Sequence, residues 1–254
     1  MRTMRPRGAG NRLLNTAAYF NEEAVGAAVK SCGIPCKELF ITTKLWIQDT
    51  GYGETLRSFD ASLKKLGLDY LDLYLIHQPF LGKYYGSWQA MEQVYEEGRV
   101  RTIGVSNFEP DRLADLCLNH AIALMVNQVE IHPFHQQEPA IRVMKGFDVQ
   151  PQGWGPLAED KHGIFTHPVL TRIGKKYGKP PAQVALRWNI QRSVVIIPKA
   201  THIERMEQNM DIWDFSFSAE DMAEIAKLDI GHSEIVNHYD PAFVKMLHGL
   251  QVHA

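Results

Sequence analysis

The chain has 254 residues, 45% of them hydrophobic and 22% charged, with 27 Lys and Arg against 29 Asp and Glu and a net charge of −2. That length accommodates two ordinary domains or one large α/β barrel, with enough apolar content for a sizeable core. The near-balanced charge gives no electrostatic reason to expect nucleic acid or an anionic membrane as partner, and no apolar run approaches membrane-spanning length.

The basic start, MRTMRPRGAGNR, resembles the first region of a secretory signal, but no apolar segment follows to complete one, so a cytoplasmic protein is expected. Leu13-Leu14 then reads as a short strand, followed by Tyr19 and a helical pattern from about Asn21 to Lys30. Cys32, Cys36 and Cys117 are an odd number in no metal-like pattern. Reduced thiols are the expected state, with a Cys32–Cys36 redox pair as the alternative.

The same alternation continues down the chain. LFITTK (39–44) leads into a helix in which Leu56, Phe59, Leu63 and Leu66 recur at helical spacing. LDLYLIH (71–77) precedes a helix around Ser87–Glu97, and VRTIGVS (100–106) precedes Asp111–Asn119, with Pro110 suited to a first helical turn. LMVNQVEI (124–131) precedes a helix from about Glu138, and VQPQGW (149–154) precedes helices at Pro168–Tyr177 and Pro181–Gln191. SVVIIPK (193–199) precedes Ile203–Ile212, and a tail follows from about residue 231.

Seven strand-then-helix units imply parallel pairing with right-handed crossovers, in an open doubly wound sheet or a closed barrel. No GxGxxG follows a strand, which counts against a dinucleotide site of the doubly wound kind. Polar residues at several different strand ends (Lys44, His77, Asn107, Gln128, Lys199) fit a barrel, whose site is assembled at its C-terminal face. A single-domain (β/α)8 TIM-type barrel is therefore predicted.

Tyr19, Lys44 and His77 follow successive strand signals and would face one opening. Taken singly each has an ordinary reading: a packing tyrosine, a solvated lysine, a strand terminus at His-Gln-Pro. Together they equip a site to protonate an oxygen while hydride arrives at carbon. A lysine cation favours phenolate and makes the phenol a better acid, and an imidazole can orient a carbonyl. His132 and His135 suggest a metal only weakly, because no third ligand accompanies them.

At this point the chain resembles the aldo-keto reductase family over essentially its whole length. NTAAYFNEE resembles the family's Asp-Thr-Ala…Tyr-x-Asn-Glu motif, LFITTKLW its lysine segment and LYLIHQP its histidine segment. VRTIGVSNF and NQVEIHP resemble the segments that hold a nicotinamide, GWGPL the one that stacks on it, and IIPKATHIERMEQN the adenosine-phosphate segment. Within the family the chain resembles the bacterial diketogluconate-reductase and methylglyoxal-reductase branch.

The resemblance implies an NADPH-dependent reductase of small aldehydes, ketones or keto-sugars. Tyr19 would be the proton donor, Lys44 would lower its pKa, His77 would position the carbonyl, and Asn15 stands at the fourth catalytic position. Ser106, Asn107 and Gln128 would hold the carboxamide and Trp154 would stack on the ring, with Pro156 and Leu157 beside it. Lys199, Thr201, Arg205, Gln208 and Asn209 would bind the phosphate and adenosine, and Trp46 and Phe108 would line the substrate pocket. No metal is implied. The expected partner is a small carbonyl compound, not nucleic acid or membrane, and the chain is expected to be a monomer or weak homodimer.

Four departures qualify this expectation. Asn15 replaces the family's aspartate, which pairs with the lysine, and one residue fewer separates it from Tyr19. A displacement of about 1 Å at a reacting centre can cost roughly 100-fold in rate. The resemblance also begins at what should be the second strand, so the first β/α unit has no counterpart, and residues 1–9 read as a non-family extension. Ala200 stands where a serine is common, with Thr201 able to compensate. The alternative to an active reductase is a homologue that binds NADP(H) with impaired turnover, or a truncated, non-functional product.

Overall fold

The computed structural model describes residues 12–17, 20–80, 82 and 84–252. Tyr19 and the expected 1–9 extension lie outside the described residues. Seven strands are present: β1 (Leu13–Asn15), β2 (Phe40–Leu45), β3 (Leu73–Ile76), β4 (Ile103–Ser106), β5 (Val126–Glu130), β6 (Gln150–Trp154) and β7 (Val195–Ile196). They pair in sequence order, and every pairing is parallel.

Helices α1 (Glu22–Ser31), α2 (Tyr52–Leu66), α3 (Tyr84–Glu96), α4 (Pro110–Asn119) and α5 (Glu138–Gly146) connect the first six strands. Two helices, α6 (Pro168–Tyr177) and α7 (Pro181–Gln191), join β6 to β7, and α8 (Ile203–Met210) follows β7. Prolines at the first turns of α4, α6 and α7 fix φ where no intrahelical N–H is needed, so these starts are set locally.

Strand alternation sorts the side chains. Ile41, Leu45, Tyr74, Ile76, Ile103, Val105 and Val129 face outward into the main core, against Phe59, Leu63, Trp88, Leu113, Ile141 and Met144 from the helices. Fully burying each such side chain contributes about 1.5–3 kcal/mol. Leu73, Leu75 and Val126 form a separate inner cluster with Phe40 and Met125. Gly104 lets that layer close, since a Cβ there would lie 2.4 Å from the Val126 carbonyl oxygen and 2.8 Å from Leu75 Cδ2. Gly26 serves the outer layer in the same way, allowing α1 to cross the Leu66 carbonyl at the end of α2.

The sheet is curled: the Gln128 side chain on β5 reaches Asn15 on β1 across the interior. This is a (β/α)8-type barrel represented by seven of its units, and among the described residues β1 and β7 each pair on one side only. The inner and outer faces of β2, β3, β4 and β5 are almost wholly buried, whereas Leu13, Leu14, Val195 and Ile196 are half-buried. The predicted strand at 193–199 is accordingly paired only over Val195–Ile196.

The expected tail is more structured than its sequence suggested. After α9 (Ala219–Ala226), the chain crosses the C-terminal ends of the strands and forms α10 (Pro241–Gly249), capped by Asp240. His238 Nε2 lies 2.7 Å from Gln78 Oε1, Trp46 Nε1 donates to the Leu250 carbonyl at 3.0 Å, and the Val252 amide donates to Gln48 Oε1 at 3.1 Å. No helix among the described residues is long and apolar enough to cross a membrane.

Candidate active site

Successive strands each bring one polar side chain to the inner face near its C-terminal end. Asn15 ends β1, Lys44 lies on β2, His77 follows β3, Ser106 ends β4, Gln128 lies on β5 and Gln152 on β6. Register explains their convergence: Lys44 pairs with Leu75, two residues before His77, and Ser106 pairs with Gln128, which pairs with Gln152. Residues separated by two along a strand share a face, so these groups line one opening. Gln152 was not among the sequence candidates; its interior parity with Gln150 and Trp154 was the available signal.

The Gln128–Asn107–Trp154 side is fully cross-linked. Gln128 Nε2 donates to Asn15 Oδ1 at 3.2 Å and to Gln152 Oε1 at 2.6 Å, which leaves the Gln128 carbonyl oxygen as its acceptor. Ser106 Oγ donates to the Gln128 backbone carbonyl at 2.8 Å. Asn107 adopts φ +63°, a conformation that asparagine tolerates better than most residues. Its Nδ2 donates to the His77 carbonyl at 3.0 Å and to Ser106 Oγ at 3.2 Å, and its Oδ1 accepts from Trp154 Nε1 at 2.9 Å. The indole is thereby fixed with a half-exposed face.

The Lys44–His77 side is governed by burial. Lys44 is 5% exposed, and desolvation pushes its ammonium pKa down to about 7. Burial, and then the charge of Lys44, hold the His77 imidazole well below its ordinary range, so it is neutral at physiological pH. Its ring meets Trp46 edge-on at 5.1 Å. Asn15, one strand away from Lys44, supplies an amide oxygen and no charge. Tyr19, the expected proton donor, lies outside the described residues.

The remaining candidates fall into two groups. Trp46 is buried beside Leu247 and Val252, and Phe108 is packed in the main core edge-on to Tyr84 while also bordering a cavity. Pro156 is buried and Leu157 half-buried in the turn after Trp154. Lys199, Thr201 and Arg205 are exposed around the start of α8, with Gln208 exposed and Asn209 half-buried in its last turn. No side chain caps the α8 N-terminus, and neither Lys199 nor Arg205 has an ion pair among the described residues. Open backbone N–H groups flanked by two free cations suit a phosphate.

A cavity of about 350 Å3 borders Asn107, Phe108 and Trp154 and is roofed by residues 231–239. A larger groove of about 500 Å3, lined by Lys30, Cys36 and Lys65, lies where α1 and α2 finish, away from the strand ends that carry the candidate groups. Cys32, Cys36 and Cys117 form no disulfide among the described residues. His132 Nε2 is bonded to Glu130 at 2.9 Å, and the His132 and His135 rings are 6.3 Å apart. No group of three metal-ligating side chains occurs among the described residues.

The sequence pattern of the Aldo/keto reductase family matches residues 6–230. The chain is similar to the glyoxal reductase of Bacillus subtilis, with 46% identity over 221 residues, covering 87% of this chain and 79% of that protein. Among solved structures, an aldo-keto reductase from a Medee basin deep-sea metagenome library superposes with a TM-score of 0.85 at 41% identity, covering 91% of this chain and 88% of that one. A Bombyx mori aldo-keto reductase in complex with NADP gives a TM-score of 0.83 at 35% identity, covering 88% and 80%.

Proposed function

The chain belongs to the aldo/keto reductase family, and from that premise we propose that it reduces the carbonyl of small aldehydes, ketones or keto-sugars with NADPH. The observation that carries this reading is the platform made by Ser106, Asn107, Gln128 and Trp154, in which hydrogen bonds leave an indole face and an amide oxygen to receive a nicotinamide. When bound, the cofactor supplies the hydride; the protein contributes orientation and electrostatics. Ser106, Asn107 and Gln128 would hold the carboxamide, and Trp154 would stack on the ring beside the Pro156-Leu157 turn. Lys199 and Arg205, with Thr201 and the open α8 N-terminus, favour the extra phosphate that distinguishes NADPH from NADH. Gln208 and Asn209, further along α8, would contact the adenosine.

His77, neutral at pH 7, donates one N–H to the carbonyl oxygen and turns the carbon toward the nicotinamide. Tyr19 gives its proton to that oxygen as negative charge develops on it. Lys44 assists while it remains protonated, and its pKa of about 7 makes that assistance fade as pH rises. Trp46 and Phe108 limit the pocket to small substrates. The glyoxal reductase relative makes a dicarbonyl such as methylglyoxal the first substrate to try.

The decisive assay follows NADPH absorbance with methylglyoxal, with NADH alongside. Turnover favouring NADPH is expected, and Tyr19→Phe abolishes it while leaving the NADPH Kd within about twofold, because the phenol touches substrate rather than cofactor. Undiminished turnover in that variant removes Tyr19 from the mechanism. One observation favours a second reading, NADP(H) binding with impaired turnover: Asn15 puts an uncharged amide at the position where the family's aspartate pairs with the lysine, and that amide is bonded to Gln128. NADPH binding without consumption, relieved by Asn15→Asp, is its signature.

A further inference from the structure

The roof over the cavity is attached at two adjacent residues to two different walls. Glu130, at the end of β5 and in register with Trp154, is 2% exposed. A carboxylate at that depth needs hydrogen-bond partners. His132 Nε2 provides one at 2.9 Å, and the other comes from Ser233 Oγ, which donates to Glu130 Oε2. The same hydroxyl accepts from the Ile235 amide at 3.0 Å and the Val236 amide at 2.9 Å, so it both anchors and turns the chain. The turn sets Ile235 Cδ1 only 3.9 Å from where a Cβ on Gly155, next to Trp154, would lie.

Glu234 engages a second element, the loop after β6. Its carboxylate meets His162 Nε2 at 2.8 Å, and its carbonyl accepts from Lys161 Nζ at 2.7 Å. That loop needs external support, because Ala158, Glu159, Asp160 and His162 all adopt left-handed φ values between 47° and 67°. Non-glycine residues hold such conformations only where their surroundings impose them. The base of the roof is stitched down as well: the Ile230 amide donates to the Phe134 carbonyl at 2.9 Å, and the Gln136 amide to Asp229 Oδ1 at 3.2 Å. With that base held, and with His238 bonded to Gln78 at the far end of the roof, Ser233 and Glu234 are its attachments on the β5 and β6 side.

We infer that Ser233 and Glu234 form a two-sided clasp that holds the 231–239 roof against the β5 and β6 walls, making Glu130, Ser233 and Glu234 positioning residues that set how long the nicotinamide cofactor stays bound. Lifting the roof exposes the Glu130 carboxylate, frees the strained 158–163 loop and withdraws Ile235 from the residue beside Trp154, all in one motion. The inference rests on the NADPH reading above.

The test compares the full chain with Ser233→Ala, Glu234→Ala and Ser233→Thr in two measurements. Backbone hydrogen exchange over 231–239, taken without cofactor, reads the clasp itself; stopped-flow release of NADPH reads its consequence. Both alanine variants should exchange faster in 231–239 while β2–β5 amides stay protected, and should release NADPH about tenfold or more faster, the effect of losing one hydrogen bond to a charged group. Ser233→Thr, which keeps the hydroxyl, should restore both values. Unchanged exchange in Ser233→Ala overturns the clasp, and faster exchange with unchanged NADPH release overturns its control of the cofactor. If the unmutated chain fails to bind NADPH, the proposed function falls first and this inference with it; a failure confined to the variants overturns the inference alone.

Discussion

The proposed nicotinamide platform and the proposed proton-transfer side of the pocket meet at Gln128 and Asn15, yet they are held by different kinds of force. On the platform side, neutral donors and acceptors from β4, β5 and β6 satisfy one another at 2.6–3.2 Å, and almost none of that network depends on pH. On the other side, Lys44 and His77 sit buried with their pKa values pushed down by desolvation. A hydrogen-bonded amide network fixes geometry; a buried cation fixes a charge only while something keeps it protonated. Replacing the family's aspartate by Asn15 leaves the first kind of order intact and weakens the second. On the proposed reading, cofactor binding and proton transfer are therefore separable properties of this one site.

Damage confined to the platform should have the largest effect. Asn107→Ala removes the bonds to the His77 carbonyl, Ser106 and Trp154 and leaves alanine at φ +63°. NADPH affinity should fall about 100-fold by titration of protein fluorescence, the sum of two or three such losses. A drop smaller than threefold would mean the indole holds its position without Asn107.

Asn15→Asp probes the other side. An added carboxylate near Lys44 raises the lysine pKa by about 1–3 units, so the alkaline fall in kcat should move upward and turnover at pH 8 should rise about tenfold. The NADPH Kd should change much less, because an aspartate oxygen can still accept from Gln128. Equal shifts in affinity and turnover would show that the two sides are not independent.

The effect furthest from activity is on stability. Lys44 has a folded pKa of about 7, below its unfolded value, so between pH 7 and pH 9 the unfolded chain carries a proton that the folded chain has released. Stability from this group therefore rises with pH across that window, by at most ~1.4 kcal/mol per unit for one proton. Urea midpoints at pH 7 and pH 9 measure it, and Lys44→Met should remove this contribution to the slope. An unchanged slope in that variant would mean Lys44 stays charged in the folded protein.

Much of this architecture was legible because its signals are local. Pro168 and Pro181 marked helix starts where α6 and α7 begin, and the 71–77 and 100–106 runs contained β3 and β4. Strand-end polar residues pointed to the rim because parity along a strand survives without knowledge of the partner strand. Legibility failed where a contact joins distant segments with no pattern of their own. Gln152 matters only because Gln128 lies across from it, and Glu130 reads as an ordinary strand residue until Ser233, 103 positions later, is seen to reach it. Trp46 and Leu250 meet across 204 positions, so α10 is legible in the sequence only as part of a tail.

Hydrophobic periodicity, proline placement and the ordered run of motifs determined from the sequence alone that this chain alternates strand and helix, and which residue types stand at the strand ends. Each of these properties is fixed by residues a few positions apart. Tertiary structure decided what those residues do: that Asn15 bonds Gln128 rather than standing free, that Lys44 lies deep enough to lose its proton near neutrality, and that residues 231–239 roof the pocket. The physical reason is that burial and long-range hydrogen bonding are properties of the packed molecule, set by which distant segments exclude water from one another.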